Sequence, residues 1–232
     1  MKKLLILVTA LLVCGAIQAQ GSKEKISTKS FLAFHAGPSL AVGDFNSKNY
    51  DNADAGFAKT GFTLNLSYGY QLEENFGLMA SVIYNNSKLD NVAIQKAMEA
   101  ALEASPGSLN GLKLDHWQWY GLTVGPALMQ KLASDFYVDI RVMTGIVNAN
   151  SPAIKYQGQT LVSEDWSIGV PLQAGADLRI GIGKNAFLFA NVDYLYMKPK
   201  FNENYNLGEI ASETIKQKIS VVNLTGGLGI RF

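Results

Sequence analysis

The sequence predicts an all-β chain, an eight-stranded antiparallel up-and-down β-barrel with one short helix in the connection between strands 3 and 4. Three observations predict it. Apolar and polar residues alternate with a period of two in eight separate stretches, the mark of strands with one apolar face. The links between those stretches are alternately long and short, as in a meander whose long loops share one end. The polar positions are rich in glycine and almost free of lysine, unlike a face turned to water.

In chain order, residues 31 to 43 form the first, weakly alternating strand. Residues 60 to 72 set Phe62, Leu64, Leu66, Tyr68, Tyr70 and Leu72 against Gly61, Thr63, Asn65, Ser67, Gly69 and Gln71. Weaker alternation runs through 76 to 87 and 117 to 130. Residues 136 to 146 place Phe136, Val138, Ile140, Val142 and Ile146 opposite Tyr137, Asp139, Arg141, Met143 and Gly145. The longest run, 165 to 182, is apolar at every second residue from Trp166 to Ile182, which predicts one long strand. Residues 186 to 197 follow, and the last strand, 222 to 232, pairs Val222, Leu224, Leu228, Ile230 and Phe232 with Asn223, Thr225, Gly227, Gly229 and Arg231.

The short links are Glu73-Glu74-Asn75, Lys131 to Asp135 and Gly183-Lys184-Asn185, all rich in residues that tolerate chain reversal. The long polar links cover 44 to 58, 88 to 116, 148 to 165 and 198 to 217. An even strand count returns both chain ends to the end with the short turns. Within the second long link, DNVAIQKAMEAALEASPG (90 to 107) favours helix until Pro106-Gly107 stops it, with Ile94, Met98, Ala101 and Leu102 as an apolar stripe.

The N-terminus reads as a secretory signal peptide over residues 1 to 19: Met1-Lys2-Lys3, an apolar run from Leu4 to Val13, and small residues before a cut after Ala19, with Ile17 bulkier than ideal. Residues 20 to 30 then form a short periplasmic segment and 31 to 232 the barrel. The only cysteine, Cys14, lies in the segment removed, and Val13 before it is too large for a lipidation signal. The mature chain has no thiol chemistry. Loss of Lys2 and Lys3 from 20 basic residues leaves 18 against 19 acidic, a net charge of −1. That balance gives nucleic acid no electrostatic footprint. Charged residues make up 17% of the chain, where about a quarter is usual for a soluble domain. No later stretch is apolar for long enough to form a membrane helix.

Period alone leaves open which face is outside. A soluble barrel hides its apolar face, and a membrane barrel shows it. Here the polar face carries Asn65, Gln71, Gln173, three acids (Asp139, Asp177, Asp193) and three arginines (Arg141, Arg179, Arg231). Enclosed charges persist when paired, so these six are expected to form a lumen network. Aromatic residues cluster near the strand ends on the apolar face: Tyr84, Tyr120, Trp166, Tyr194 and Tyr196 towards the loops, and Tyr68, Tyr70, Phe76, Phe136 and Phe232 towards the turns. Two belts at the water-lipid boundaries have that placement. The fold expected is therefore a transmembrane β-barrel contacting outer-membrane lipids. A secreted soluble barrel holding a small apolar ligand is the alternative.

The final residues, NLTGGLGIRF, resemble the terminal assembly signal of Gram-negative outer-membrane proteins. With FLAFHAGPSLAVGDF and GFTLNLSYGYQLEENFGLMASVIYNN, the chain resembles the small outer-membrane β-barrel domain family that includes PorT-like proteins. The resemblance implies a cell outer membrane location, and the even strand count with its short-turn end then places both termini in the periplasm. The resemblance also implies recognition of Leu228, Ile230 and Phe232 by the barrel-assembly machinery, and accessory work in secretion as one version of the role. No functional residue carries over from it.

Eight strands enclose only enough room for side chains, and Met79, Ile83, Trp119, Tyr137, Met143, Phe187 and Phe189 are expected to help fill it, so no open pore is expected. For a rim enzyme acting on lipid or peptide, Asp115-His116 and Glu164-Asp165 would bring His116 near the carboxylates of Asp115 and Asp165, a minimal general-base arrangement. A hydrated loop edge is the preferred reading, and the chain is expected not to be an enzyme. His35 should point into the lumen as a structural hydrogen-bonding residue. Two histidines without clustered ligand spacing argue against a metal site, and no cofactor is expected. The run from Gly181 to Ala186 imitates a dinucleotide fingerprint but lacks the following helix and reads as a turn. Loops on a rigid scaffold often carry binding, so the long loops and the helix are candidates for a protein or surface partner.

Overall fold

The computed structural model describes residues 29–206 and 210–232. The signal peptide and most of the segment 20 to 30 lie outside the described residues. The chain runs β1 (Ser30–Ala41), a 3-10 turn (Gly43–Asn46), β2 (Gly61–Glu73), β3 (Phe76–Ser87), α1 (Asn91–Ala101) and β4 (Leu112–Leu114). Next come β5 (Trp117–Ala133), β6 (Phe136–Ser151), β7 (Ile154–Tyr156), β8 (Gln159–Val162) and β9 (Asp165–Gly169). The rest is β10 (Leu172–Gly181), β11 (Ala186–Met197), β12 (Lys200–Asn206), β13 (Ile210–Lys216) and β14 (Ile219–Arg231).

Eight antiparallel staves close into a barrel in the order β1, β2, β3, β5, β6, β9 with β10, β11, β14, and back to β1. Closure runs through Phe31↔Arg231 to Ala41↔Val221 between β1 and β14. All eight alternating stretches of the sequence are staves. Because successive side chains point to opposite faces, closure sends one parity out and the other in. Outward go the bulky apolar residues: Ile168 is 71% exposed and Leu228 60%. Inward go the polar set and the larger filling side chains: Met79, Ile83, Trp119, Met143, Phe187 and Phe189 are all buried, while Tyr137 is half-buried.

The sixth stave departs from the single strand expected over 165 to 182. It is two strands, β9 and β10, interrupted at Val170-Pro171. Pro171 has no N–H for the ladder, and its carbonyl instead accepts from the Thr144 hydroxyl at 2.8 Å. Both pieces keep the same register against β6, Val147↔Gly169 and Leu172↔Thr144, so the alternation of faces survives the break.

The loop end differs more. The sequence predicts four long links that are irregular apart from one helix, yet three of them contribute to a second sheet of order β13-β12-β8-β7-β4. Its inner residues Leu112, Leu114, Ile154, Val162, Phe201 and Ile215 pack with Phe45, Trp117, Trp119, Ile219 and Val221 into one apolar cluster across the barrel mouth. Phe45 meets Trp117 edge-on at 5.7 Å and Trp119 at 6.1 Å, and the Trp117 indole donates to the Gly56 carbonyl at 3.1 Å. A Cβ on Gly56 would meet the Phe45 ring at 2.5 Å, so glycine there is a packing requirement.

Helix α1 starts as expected, with the Ala93 N–H donating to the Asp90 N-cap at 3.2 Å. It ends at Ala101, and both Ala101 and Leu102, expected on the apolar stripe, are exposed. The reason is Glu99, which turns inward and accepts from the backbone N–H groups of Gly107 and Leu109 at 3.0 and 3.1 Å, folding the chain back at that point.

Candidate functional site

The barrel interior is built from the register outward. Ala127, Arg141, Gly175, Asp193 and Asn223 form one cross-strand row on β5, β6, β10, β11 and β14. Gly175 has no side chain, so Arg141 reaches across β10 to Asp193, with Nη2 at 2.7 and 2.6 Å from its two oxygens. A Cβ at Gly175 would collide with the Asp193 carboxylate. Arg141 Nη1 pairs with Asp177, two residues along β10. The neighbouring row opposes Asp139 to Asp177 and Asp177 to Asn191. Two carboxylates directly across from each other repel, and each has its own counter-ion: Arg179 Nε lies 2.6 Å from Asp139 Oδ2. The Arg179 guanidinium also sits over Phe31 at 4.3 Å and Tyr137 at 4.7 Å. Arg141 and Asp177 are 2% exposed, Asp193 1% and Asp139 0%.

A hydrogen-bond girdle extends from these charges around the barrel. Asn191 Nδ2 donates to Asp177 at 2.6 Å, and the Thr225 hydroxyl donates to Asn191 Oδ1 at 3.2 Å. His35 Nδ1 lies 2.7 Å from that hydroxyl, its Nε2 lies 2.9 Å from Ser67, and Ser67 meets Ser81 at 2.8 Å. Seven staves are joined in this way, and Thr123 donating to Gln173 at 3.0 Å ties in β5. Since Thr225 spends its proton on Asn191, His35 donates to it from Nδ1, and in the neutral ring Nε2 then accepts from the Ser67 hydroxyl. Of these residues the sequence singled out His35 and the charges, and it set Ser67, Thr225 and Gln173 on the polar face without a role. Asn191, Ser81 and Thr123 were missed, although the inward parity of their strands was the signal available.

Arg231, expected in the lumen network, lies apart from it. It sits at the turn end of β14, where Nη2 is 3.3 Å from Asp135 of the β5–β6 turn and 3.2 Å from the Gly183 carbonyl. Strand length decides this: β14 ends at Arg231, so the side chain reaches the turns rather than the middle of the barrel.

The three rim candidates are not brought together. His116 Nδ1 is 3.0 Å from Asn86 Oδ1, Asp115 pairs with Lys155 at 2.9 Å, and Asp165 accepts the Asn202 backbone N–H at 2.7 Å. The rim has other charge contacts. Burial raises the Asp90 carboxyl, but hydrogen bonds from Lys48 and Lys59 outweigh that and hold its pKa at about 2. Lys218 bridges Asp44 and Asp54 at 2.9 and 2.7 Å, which keeps both carboxyls below their usual range and raises the Lys218 ammonium. Among the described residues no group of His, Cys, Asp and Glu is arranged to hold a metal.

The aromatic residues of the outer face sit at its two ends. Tyr120 and Trp166 pack at 5.6 Å and Phe62 and Tyr84 at 5.8 Å towards the loops, with Tyr194 and Tyr196 on the next stave. Towards the turns, Tyr68 meets Phe232 at 6.5 Å, with Tyr70, Phe76 and Phe136 nearby in the ladder.

A major outer-membrane protein from Thermus thermophilus has a similar structure, with a TM-score of 0.54 over 88% of this chain and 99% of that one, at 12% identity. The chain has the fold of a small outer-membrane barrel. At this identity the likeness establishes the fold and nothing finer. Ail, the attachment invasion locus protein of Yersinia pestis, gives a TM-score of 0.49 at 15% identity over 88% of this chain and 99% of that one. Neisserial surface protein A gives 0.47 at 16% over 90% and 100%. No family model matches the chain, and a search of curated proteins finds no match either.

Proposed function

We propose that the chain is a non-enzymatic outer-membrane barrel that carries a rigid loop crown outside the cell for contact with a partner. The observation that supports this most is the inverted distribution of side chains. Paired charges and hydrogen-bonded polar groups are enclosed, while Ile146, Ile168, Val170, Leu172 and Leu228, each more than half exposed, belong to a continuous apolar band. Soluble monomers rarely expose contiguous apolar patches of more than a few hundred Å², whereas hydrocarbon favours such a band. A strand in hydrocarbon must have its backbone groups bonded to neighbours, and closure through β1 and β14 achieves that.

The short turns and both strand ends lie opposite the crown, with Ser30 and Phe232 exchanging backbone hydrogen bonds at 3.2 and 2.9 Å. In this reading those ends face the periplasm, and Leu228, Ile230 and Phe232 engage the assembly machinery during insertion. The second sheet supports a binding role because it fixes loops that would otherwise lose entropy on contact. Accessory work in secretion, which the PorT-like resemblance favours, is one form of that role. A non-enzymatic reading is supported by the separate partners of His116, Asp115 and Asp165. The test is membrane fractionation followed by a gel of unboiled and boiled samples. The protein is expected in the outer-membrane fraction with a heat-shifted band, and recovery as a soluble folded protein without detergent would overturn the proposal.

A further inference from the structure

Lys200 of β12 and Lys216 of β13 are directly opposed in an antiparallel pair, an arrangement of like charges that destabilises a sheet. Directly opposed residues share a face, and here it is the outer one, since the next pair, Phe201↔Ile215, turns into the apolar cluster. Alternation of burial continues through the end of β11: Tyr194 and Tyr196 outward, Leu195 and Met197 inward, then Lys198 exposed, Pro199 buried, Lys200 exposed and Phe201 buried. Lys198, the first residue past the end of β11, therefore continues the outward column beyond Tyr196, about 7 Å on at the rise of an extended chain, and Lys200 opens β12 two residues later.

Tyr194 and Tyr196 belong to the aromatic belt that marks the edge of the hydrocarbon, so the lysines lie at the level of lipid headgroups. Local acids cover only part of this charge. Asp54 is 3.6 Å from Lys198, but it also holds Lys218, which takes Asp44 as well. Glu213 has the opposite parity to Lys216. Among the described residues neither Lys200 nor Lys216 has an ion pair.

We infer that Lys198, Lys200 and Lys216 form a docking site for the phosphate groups of an outer-leaflet lipid, seated against the β11–β13 side of the barrel. The inference rests on the membrane placement proposed above. Phosphate at this level relieves the Lys200–Lys216 repulsion and anchors the crown to the leaflet.

Native mass spectrometry of the folded protein in a non-ionic detergent tests it, with diphosphoryl lipid A and the same lipid stripped of both phosphates as probes. The phosphorylated form is expected to bind at least about tenfold more tightly, and the Lys198→Gln/Lys200→Gln/Lys216→Gln variant to lose roughly a hundredfold, at about fivefold per lysine near a charged surface. Arginine at the three positions should retain binding, and Lys113→Gln/Lys155→Gln, at the far side of the crown, should leave it unchanged. If the triple glutamine variant shows no heat-shifted band, Lys200→Gln alone should still cost about fivefold. Equal binding of the two lipid forms, or full binding by a folded glutamine variant, overturns the inference. A protein that fractionates with the outer membrane yet ignores the phosphates defeats only this site, whereas one that stays folded and dissolved without amphiphile defeats the membrane reading itself.

Discussion

Replacing Arg141 with methionine removes one guanidinium and strands two carboxylates. Asp177 and Asp193 are 2% and 1% exposed, and both depend on Arg141 for a counter-ion. Removing one partner of a buried pair costs about 3–5 kcal/mol, most of it the penalty for the charge left behind. With two acids stranded, about 3 kcal/mol is the lower bound, roughly a 150-fold shift towards the unfolded state at about 1.4 kcal/mol per tenfold. Asn191, which donates to Asp177 at 2.6 Å, supports that carboxylate only in part. The assay is urea unfolding of the protein refolded into phosphatidylcholine vesicles, followed by tryptophan fluorescence and by the heat-shifted band. The companion variant Arg141→Met/Asp177→Asn/Asp193→Asn removes the stranded charges and should recover most of the loss. A cost below about 1 kcal/mol for Arg141→Met, or no recovery in the companion, would refute the argument that this network balances its charge inside the barrel.

Asp90→Ala should loosen α1 by about 1 kcal/mol through loss of its N-cap, seen as faster hydrogen exchange across residues 91 to 101 with the barrel unaffected. Because the folded Asp90 pKa of about 2 lies below its ordinary value of 3.8, its stabilising contribution is complete above 3.8 and is lost as pH falls towards 2. The same exchange should therefore rise in that window in the wild type and not in the variant. Nitrogen-15 spectra of His35 should show Nδ1 protonated, and a ring bare at Nδ1 would break the donor order of the girdle. Gly175→Val should prevent folding of the barrel, because its Cβ falls on the Asp193 carboxylate; a normal heat-shifted band would contradict the route drawn for Arg141.

The staves were legible because a strand with two unlike faces writes its period into the chain, as Trp166 to Ile182 does. The break at Pro171 was hidden by that same regularity, since the apolar spacing continues through it, although a residue without an N–H was the warning. The crown was not legible. β4 has three residues, β7 three and β8 four, too few for alternation to stand out, and although β7 and β8 form a local hairpin, β4 pairs with β7 and β8 with β12 across tens of residues. The charges of the lumen could be chosen by parity, but partners could not. Arg141 reaches Asp193 on the next stave but one because Gly175 lies between them, while Arg231 belongs to Asp135, whose place in a turn carried no parity at all. The rim candidates failed for the same reason in reverse: His116 lies next to Asp115 in sequence, yet Asn86 on the adjacent strand is the residue its ring meets.

Single cysteines at Leu172, Leu188 and Leu228 report whether the apolar face meets lipid, in a chain beginning at Gln20 and therefore free of other thiols. Spin labels there, in the protein refolded into vesicles, are predicted to be relaxed by oxygen dissolved in the hydrocarbon and shielded from a water-soluble nickel chelate. Relaxation by the chelate at all three positions would contradict an outward apolar face set in lipid.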